Sequence, residues 1–203
     1  MRLSSLLFSG GKLTAIAQSY WADVVRPGGC VVDATVGNGH DTLFLARLVG
    51  PSGHVYGFDV QEDALQATRA TLDAGLQPLQ RPRTLSLVKA CHSTMLEHVL
   101  QPVQLVCFNL GYLPGHRTDR ALTTKAESTV GAVLAALSAL EVGGIVSVLA
   151  YVGHPGGPEE YEAVRQVAEE LEPEQWTITE QRLLNRTKSP ILIIFMRRLA
   201  KDA

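Results

Sequence analysis

The chain is poor in cysteine, near-neutral in charge and without a long apolar run, and each of these scarcities closes off a class of protein. Cys30, Cys91 and Cys107 are odd in number, far apart and set in or beside apolar runs. They read as buried thiols in a reducing compartment, with neither a zinc set nor a disulfide framework, and no metal is expected. No hydrophobic stretch approaches the length of a membrane-spanning helix, so no membrane partner is expected. With 18 Lys+Arg against 20 Asp+Glu the net charge is −2, and any RNA contact must come from local patches rather than from bulk charge. No internal repeat or low-complexity segment interrupts the 203 residues, 46% of them hydrophobic, which suffice for one domain over 1–203.

Residues 1–26 read as a helical lead-in. Arg2, Lys12, several serines and no acid before Asp23 faintly echo an organellar transit segment, while Leu6-Leu7-Phe8 is too short for a signal core. Leu13, Ile16, Ala17, Tyr20, Trp21 and Val24 fall at helical spacing, which favours a structural helix. The compartment expected is the bacterial cytoplasm, or an organellar stroma or matrix if the source is eukaryotic.

What is present is organised around Val31-Val32-Asp33-Ala34-Thr35-Val36-Gly37-Asn38-Gly39-His40-Asp41-Thr42. A β-branched run ends in a glycine turn and continues as an apolar helical segment, so backbone N–H groups at a helix start face whatever lies above the strand. Asp59, about twenty residues past the turn, ends the next strand-like run, where its carboxylate can accept both hydroxyls of a ribose. In a dinucleotide fingerprint a third small residue would stand where this chain has Thr42, which weakens the NAD(P) reading and with it a dehydrogenase.

The remaining chain alternates predicted strands with helices. Strands are expected over 30–34, 54–60, 84–89, 104–108 and 145–151, with Gly75 capping one helix and Gly143-Gly144 ending another. That second helix should open with the capping box Thr124-x-x-Glu127 and bury Val130, Val133, Leu134, Leu137 and Leu140. Strand-like runs over 176–183 and 190–196 should close the sheet as a hairpin. The fold class is therefore α/β, a doubly wound Rossmann-like sheet of seven strands, mostly parallel, with a C-terminal antiparallel hairpin. Ligands of such sheets bind beyond the carboxyl ends of the strands, where Gly37, Asp59, His92, Asn109 and His154 should cluster.

Asp33, the two glycines and Asp59 resemble motif I and the following acid of class I S-adenosylmethionine methyltransferases. Asn109-Leu110-Gly111-Tyr112 stands where methyltransferases acting on amino groups carry an Asp/Asn-Pro-Pro-Tyr-type motif, with Leu110-Gly111 in place of the prolines. There Asn109 can accept a hydrogen bond from the target amine and Tyr112 can stack on a base or cover the methyl-bearing cation. His92 and His154 are candidate bases for the amine proton, and Arg117, Arg120, Lys125, Arg186 and Lys188 could flank the crevice and grip a phosphate backbone.

Taken together with Gly57-Phe-Asp-Val-Gln61, Asn109-Leu-Gly-Tyr-Leu-Pro-Gly115 and Tyr151-x-Gly-His-x-Gly-Gly157, the glycine turn resembles the MnmM (YtqB-like) family, once labelled rRNA methylases. The resemblance spans nearly the whole chain. It implies a methyltransferase that converts the 5-aminomethyl group of 2-thiouridine at the tRNA wobble position to methylaminomethyl, with S-adenosylmethionine as cofactor, tRNA as substrate partner and a homodimer as assembly. The cofactor set then expected is Asp33, Gly37, Asn38, Gly39, His40, Asp41, Asp59, Gln61, His92, Ser93 and Asn109. Asn109 and Tyr112 are the expected catalytic residues, and Tyr112, Arg117, Tyr151 and His154 the expected substrate contacts. Other readings are an rRNA or small-molecule amine methyltransferase, an NAD(P)-dependent oxidoreductase, and an RNA-binding module without catalysis.

Overall fold

Successive residues of the central strands are buried on opposite faces, which gives the sheet two apolar faces, and the computed structural model, which describes residues 12–111, 126–186 and 189–199, shows helices on both. In chain order the elements are α1 (Leu13–Val24), β1 (Cys30–Asp33), α2 (His40–Val49), β2 (His54–Asp59), α3 (Glu62–Gly75), β3 (Thr84–Lys89), β4 (Val103–Leu110), α4 (Ala126–Ala139), β5 (Leu140–Ala150), α5 (Gly157–Glu170), β6 (Trp176–Gln181) and β7 (Ile191–Arg197). Short 3₁₀ turns fill Pro78–Gln80 and His92–Glu97.

The sheet order is β3-β2-β1-β4-β5-β7-β6. The first five strands of that order pair in parallel, and β7 lies antiparallel between β5 and β6. The expected hairpin is therefore present, with its second strand inserted as the inner one. Val31, Leu105 and Ile194 face α1, α2 and α3, whereas Val32, Val106 and Phe195 face α4 and α5. Because β4 follows β3 in sequence yet sits on the far side of β1, the topology reverses between β1 and β4, and a crevice opens above their carboxyl ends.

Several boundaries differ from expectation. The helix before β5 stops at Ala139, and Gly143-Gly144 lie inside β5, where the register with β4 jumps from Val103↔Leu140 to Leu105↔Ile145. Leu140 pairs with Val103 across the sheet, and that pairing overrides the helical period. On α4 the buried residues are Thr129, Ala132, Val133, Ala136 and Leu137, while Leu134 is half exposed, so the expected Val133 and Leu137 are joined in the core by Ala132 and Ala136 rather than by Leu134. Gly75 is the last residue of α3 rather than its cap, and a Cβ there would press into Leu43 of α2. β4 runs on through Asn109 to Leu110, which places Asn109 on the strand itself. The capping-box Thr124 lies outside the described residues.

Candidate active site

β1 ends in Asp33, whose carboxylate is fully buried and accepts from Thr42 Oγ1 at 2.6 Å and from the Thr35 N–H at 3.2 Å. Expected at the cofactor, it stands instead beneath the loop, joining the end of β1 to the first turn of α2. Removal from water raises its pKa to about 7, with nearby Asp41 adding to the rise and the Thr42 bond opposing it.

Above it the glycine turn is fastened to α3. Thr68 Oγ1 donates to the Gly37 carbonyl at 3.1 Å and Thr71 Oγ1 to the Asn38 carbonyl at 2.8 Å. Gly39 precedes α2 with φ +79°, and a Cβ there would lie 2.7 Å from the Thr68 Cα, so both its conformation and its neighbour require glycine. Asp59 faces the turn from the end of β2, its Oδ2 accepting the Gly37 N–H at 3.2 Å and its Oδ1 the Gln61 N–H at 3.0 Å. Each carboxylate oxygen keeps a second lone pair for a ligand hydroxyl. Burial raises the Asp59 pKa while those N–H groups lower it.

At the end of β3, His92 opens a 3₁₀ turn and is buried, with its ring edge against Phe108. Its Nδ1 lies 3.3 Å from the Ala34 carbonyl, an acceptor, so Nδ1 carries the proton and Nε2 presents a lone pair. Burial lowers the His92 pKa, and Nε2 is buried without a hydrogen-bond partner among the described residues. Ser93 is exposed and donates to Cys91 Sγ at 3.1 Å, and His40 is exposed at the start of α2.

Across the crevice Asn109 is held at two points. Its N–H donates to Thr35 Oγ1 at 2.7 Å, and its Nδ2 donates to Asp41 Oδ2 at 3.0 Å. Asp41 Oδ1 in turn accepts Gln18 Nε2 of α1 at 2.7 Å. Gly111, at φ +145°, lets the β5 end approach: a Cβ there would stand 3.2 Å from His154 Nε2 and 3.6 Å from Tyr151 Cβ. The Tyr151 phenol is raised above its ordinary pKa by burial and then by the Asp41 carboxylate. The structure thus brings Asp41, Asn109, Tyr151 and His154 to one rim and Gly37, Asn38, Asp59 and His92 to the other. Tyr112 and Arg117 lie outside the described residues, as do Arg120, Lys125 and Lys188, while Arg186 is exposed near the hairpin turn.

Sequence reasoning did not single out Gln18, Thr35, Thr68 or Thr71, and read Thr42 only as an obstacle to NAD(P). Hydroxyls three apart on the buried side of α3 were the available signal for the Thr68–Thr71 pair. Among the described residues no group of three His, Cys, Asp or Glu is placed to hold a metal, and no helix is long and apolar enough to cross a membrane.

A family model described as "Putative rRNA methylase" matches residues 55–197. The chain is 37% identical over 199 residues to the chloroplastic tRNA (mnm(5)s(2)U34)-methyltransferase of Arabidopsis thaliana, covering 95% of this chain and 72% of that protein. The chain belongs to this methyltransferase family. Among solved structures, an rRNA-methylase of Clostridium thermocellum superposes with TM-score 0.84 at 36% identity, covering 92% of this chain and 97% of that one. A methyltransferase of Streptococcus mutans in complex with SAH superposes with TM-score 0.78 at 30% identity over 91% of this chain and 97% of that one. Family membership and the shared class I fold make the protein an S-adenosylmethionine-dependent methyltransferase. The family model starts at residue 55, so the glycine turn and α1 lie outside it, whereas the Arabidopsis relative is matched over 95% of the chain.

Proposed function

We propose that the chain methylates the aminomethyl nitrogen of a tRNA wobble uridine, giving a 5-methylaminomethyl-2-thiouridine. The observation that carries this reading is the orientation of the Asn109 amide. Nδ2 faces the acceptor Asp41, so the planar group turns Oδ1 away from it, and Oδ1 makes no hydrogen bond among the described residues. A carbonyl-type acceptor at the end of β4 suits an amine N–H, which it can hold while the nitrogen lone pair points along the transfer line. The name of the Arabidopsis relative supports the acceptor chemistry.

The residues on the other rim fit the cofactor. The Asp59 oxygens would take the ribose hydroxyls, and the turn from Gly37 to Gly39 would lie along the amino-acid end. The orphaned His92 Nε2, held as an acceptor, matches an exocyclic amine such as that of adenine. When bound, S-adenosylmethionine supplies an electrophilic methyl on a positively charged sulfur.

An alkylammonium carries a proton on its lone pair, so the acceptor must react as the neutral amine. Asn109 accepts from an N–H of either form but leaves the lone pair of the neutral one unengaged. After transfer the secondary ammonium product returns its extra proton to solvent. Tyr151 and His154 stand beside Gly111, where they would meet the uridine ring. The assembly we infer from the family resemblance is a homodimer, and the compartment is the one that houses the tRNA pool of its source.

An acceptor panel tests the reading: tRNA bearing the aminomethyl group, the same tRNA without it, and an rRNA fragment. Mass spectrometry of the nucleosides should find methyl incorporation only in the first. Methylation of the rRNA alone, or of both tRNAs equally, would show that the acceptor is misassigned.

A further inference from the structure

Gln18 lies on α1, outside the span of the family model, and no strand tip or motif points to it. Its Nε2 nevertheless donates at 2.7 Å to the same Asp41 carboxylate that accepts Asn109 Nδ2 at 3.0 Å. The three side chains form a line from the lead-in helix to the end of β4. Asp41 accepts only, so both amides must turn their NH2 groups toward it, and the Asn109 carbonyl oxygen is thereby directed away. A carboxylate held at one oxygen alone can swing about its own torsion, whereas one held at both oxygens by half-buried amides cannot do so without losing a bond. The helix is well founded for this purpose, since Leu13, Ile16, Ala17 and Trp21 are buried against the sheet and α2.

We propose that Gln18 is a positioning residue for methyl transfer: by fixing Asp41 from the side of α1, it holds the Asn109 amide with its oxygen toward the amine. This rests on the reading of Asn109 as the residue that accepts the amine. Gln18 touches neither substrate nor cofactor, and its effect passes through Asp41. The lead-in helix is thus part of the acceptor half of the site rather than a cover for the core alone.

Gln18→Met preserves length and apolar contact but has no N–H to give. The experiment compares the full-length variant with the wild-type protein on whichever RNA the wild type methylates, and measures kcat, acceptor KM and SAH affinity. In parallel, ¹⁵N NMR follows the Asn109 side-chain NH2, assigned by its disappearance in Asn109→Ala. The expected result is a fall in kcat of about tenfold, SAH affinity within about twofold, and a displaced Asn109 NH2 signal that exchanges faster with solvent. An Asn109 NH2 signal in its wild-type place overturns the proposal whatever the turnover. Equal losses in kcat and SAH affinity overturn it too, because they report a damaged fold rather than a turned amide. Should the wild type methylate an RNA lacking the aminomethyl group, the acceptor reading fails, while the Gln18 comparison is still decided on that RNA and by the NMR signal.

Discussion

On the β1–β3 side of the crevice, the bonds that shape the glycine turn join residues 9 to 33 positions apart: Asp33 to Thr42, Asp59 to Gly37, Thr68 to Gly37 and Thr71 to Asn38. On the β4 side, Asn109 is placed by partners 68 and 74 positions away, Asp41 and Thr35. The first half is a backbone cradle fastened by hydroxyls and carboxylates from neighbouring elements. The second is one side chain aimed by others across the topological switch. A cradle of backbone groups can recognise a cofactor with little reorganisation, whereas an aimed side chain acts on the reacting atom, so damage to the two halves should separate binding from chemistry.

The sharpest way to break that separation is Asn109→Ala. Removing the proposed amine acceptor should lower kcat by about a hundredfold, since misplacing the reacting nitrogen forfeits most of the benefit of orientation. SAH affinity measured by calorimetry should change by no more than about threefold. If both fall together, Asn109 also reaches the cofactor, and the two halves are less distinct than the hydrogen bonds imply.

Asp59→Ala is the mirror experiment on the cradle. It removes about two charge-assisted hydrogen bonds worth roughly 1.5–3 kcal/mol each where solvent is excluded, together with the fastening of the Gly37 N–H. SAH affinity should drop by at least about a hundredfold, while kcat at saturating cofactor should change far less. Unchanged SAH binding would remove Asp59 from the cofactor site.

The cradle was largely legible in the sequence because its signals are local. A β-branched run, a glycine turn, an apolar helix and an acid at the next strand end lie within one βαβ unit, and the structure sets them there. The aiming of Asn109 was not legible, because nothing in the spacing of Gln18, Asp41 and Asn109 brings them together until the sheet order is known. Gly143-Gly144 misled for a related reason: as helix terminators they are plausible locally, but the pairing of Leu140 with Val103 decides that β5 begins before them. The place of Asp33 in the motif suggests a cofactor ligand, and its burial and its bond to Thr42, which set it beneath the loop, depend on a packing that the motif alone does not reveal.

That burial has a consequence for pH. The folded Asp33 carboxyl has a pKa of about 7 against an ordinary value of 3.8, so the folded chain holds this proton more tightly than the unfolded chain does. Its contribution to stability is fully present below about pH 4, declines as pH rises toward 7 and is absent above that, a change on the order of a few kcal/mol. Asp59, raised as well, acts in the same sense, while His92, lowered from about 6.5, acts against it by costing stability as pH falls below that value. Melting temperatures of the cofactor-free protein should therefore fall between pH 5 and pH 7.5, and Asp33→Asn should flatten that slope. An equally steep slope in the variant would mean that Asp33 is already ionised in the folded chain.

The smallest effect is expected at Thr71, and it tests whether the cradle depends on each of its fastenings. Thr71 and Thr68 both donate to carbonyls of the glycine turn, but Thr68 is fully buried under Gly39 while Thr71 is only half-buried. In Thr71→Val the Asn38 carbonyl loses its donor yet remains near water, which can replace it, so the loss should be about 0.5–1.5 kcal/mol. SAH affinity should then fall by roughly two- to tenfold with kcat unchanged, since Asn38 belongs to the cradle and Asn109 is fastened independently through Thr35 and Asp41. A drop in kcat without a change in SAH affinity would reverse the assignment, because it would mean that α3 acts through the turn on the acceptor half.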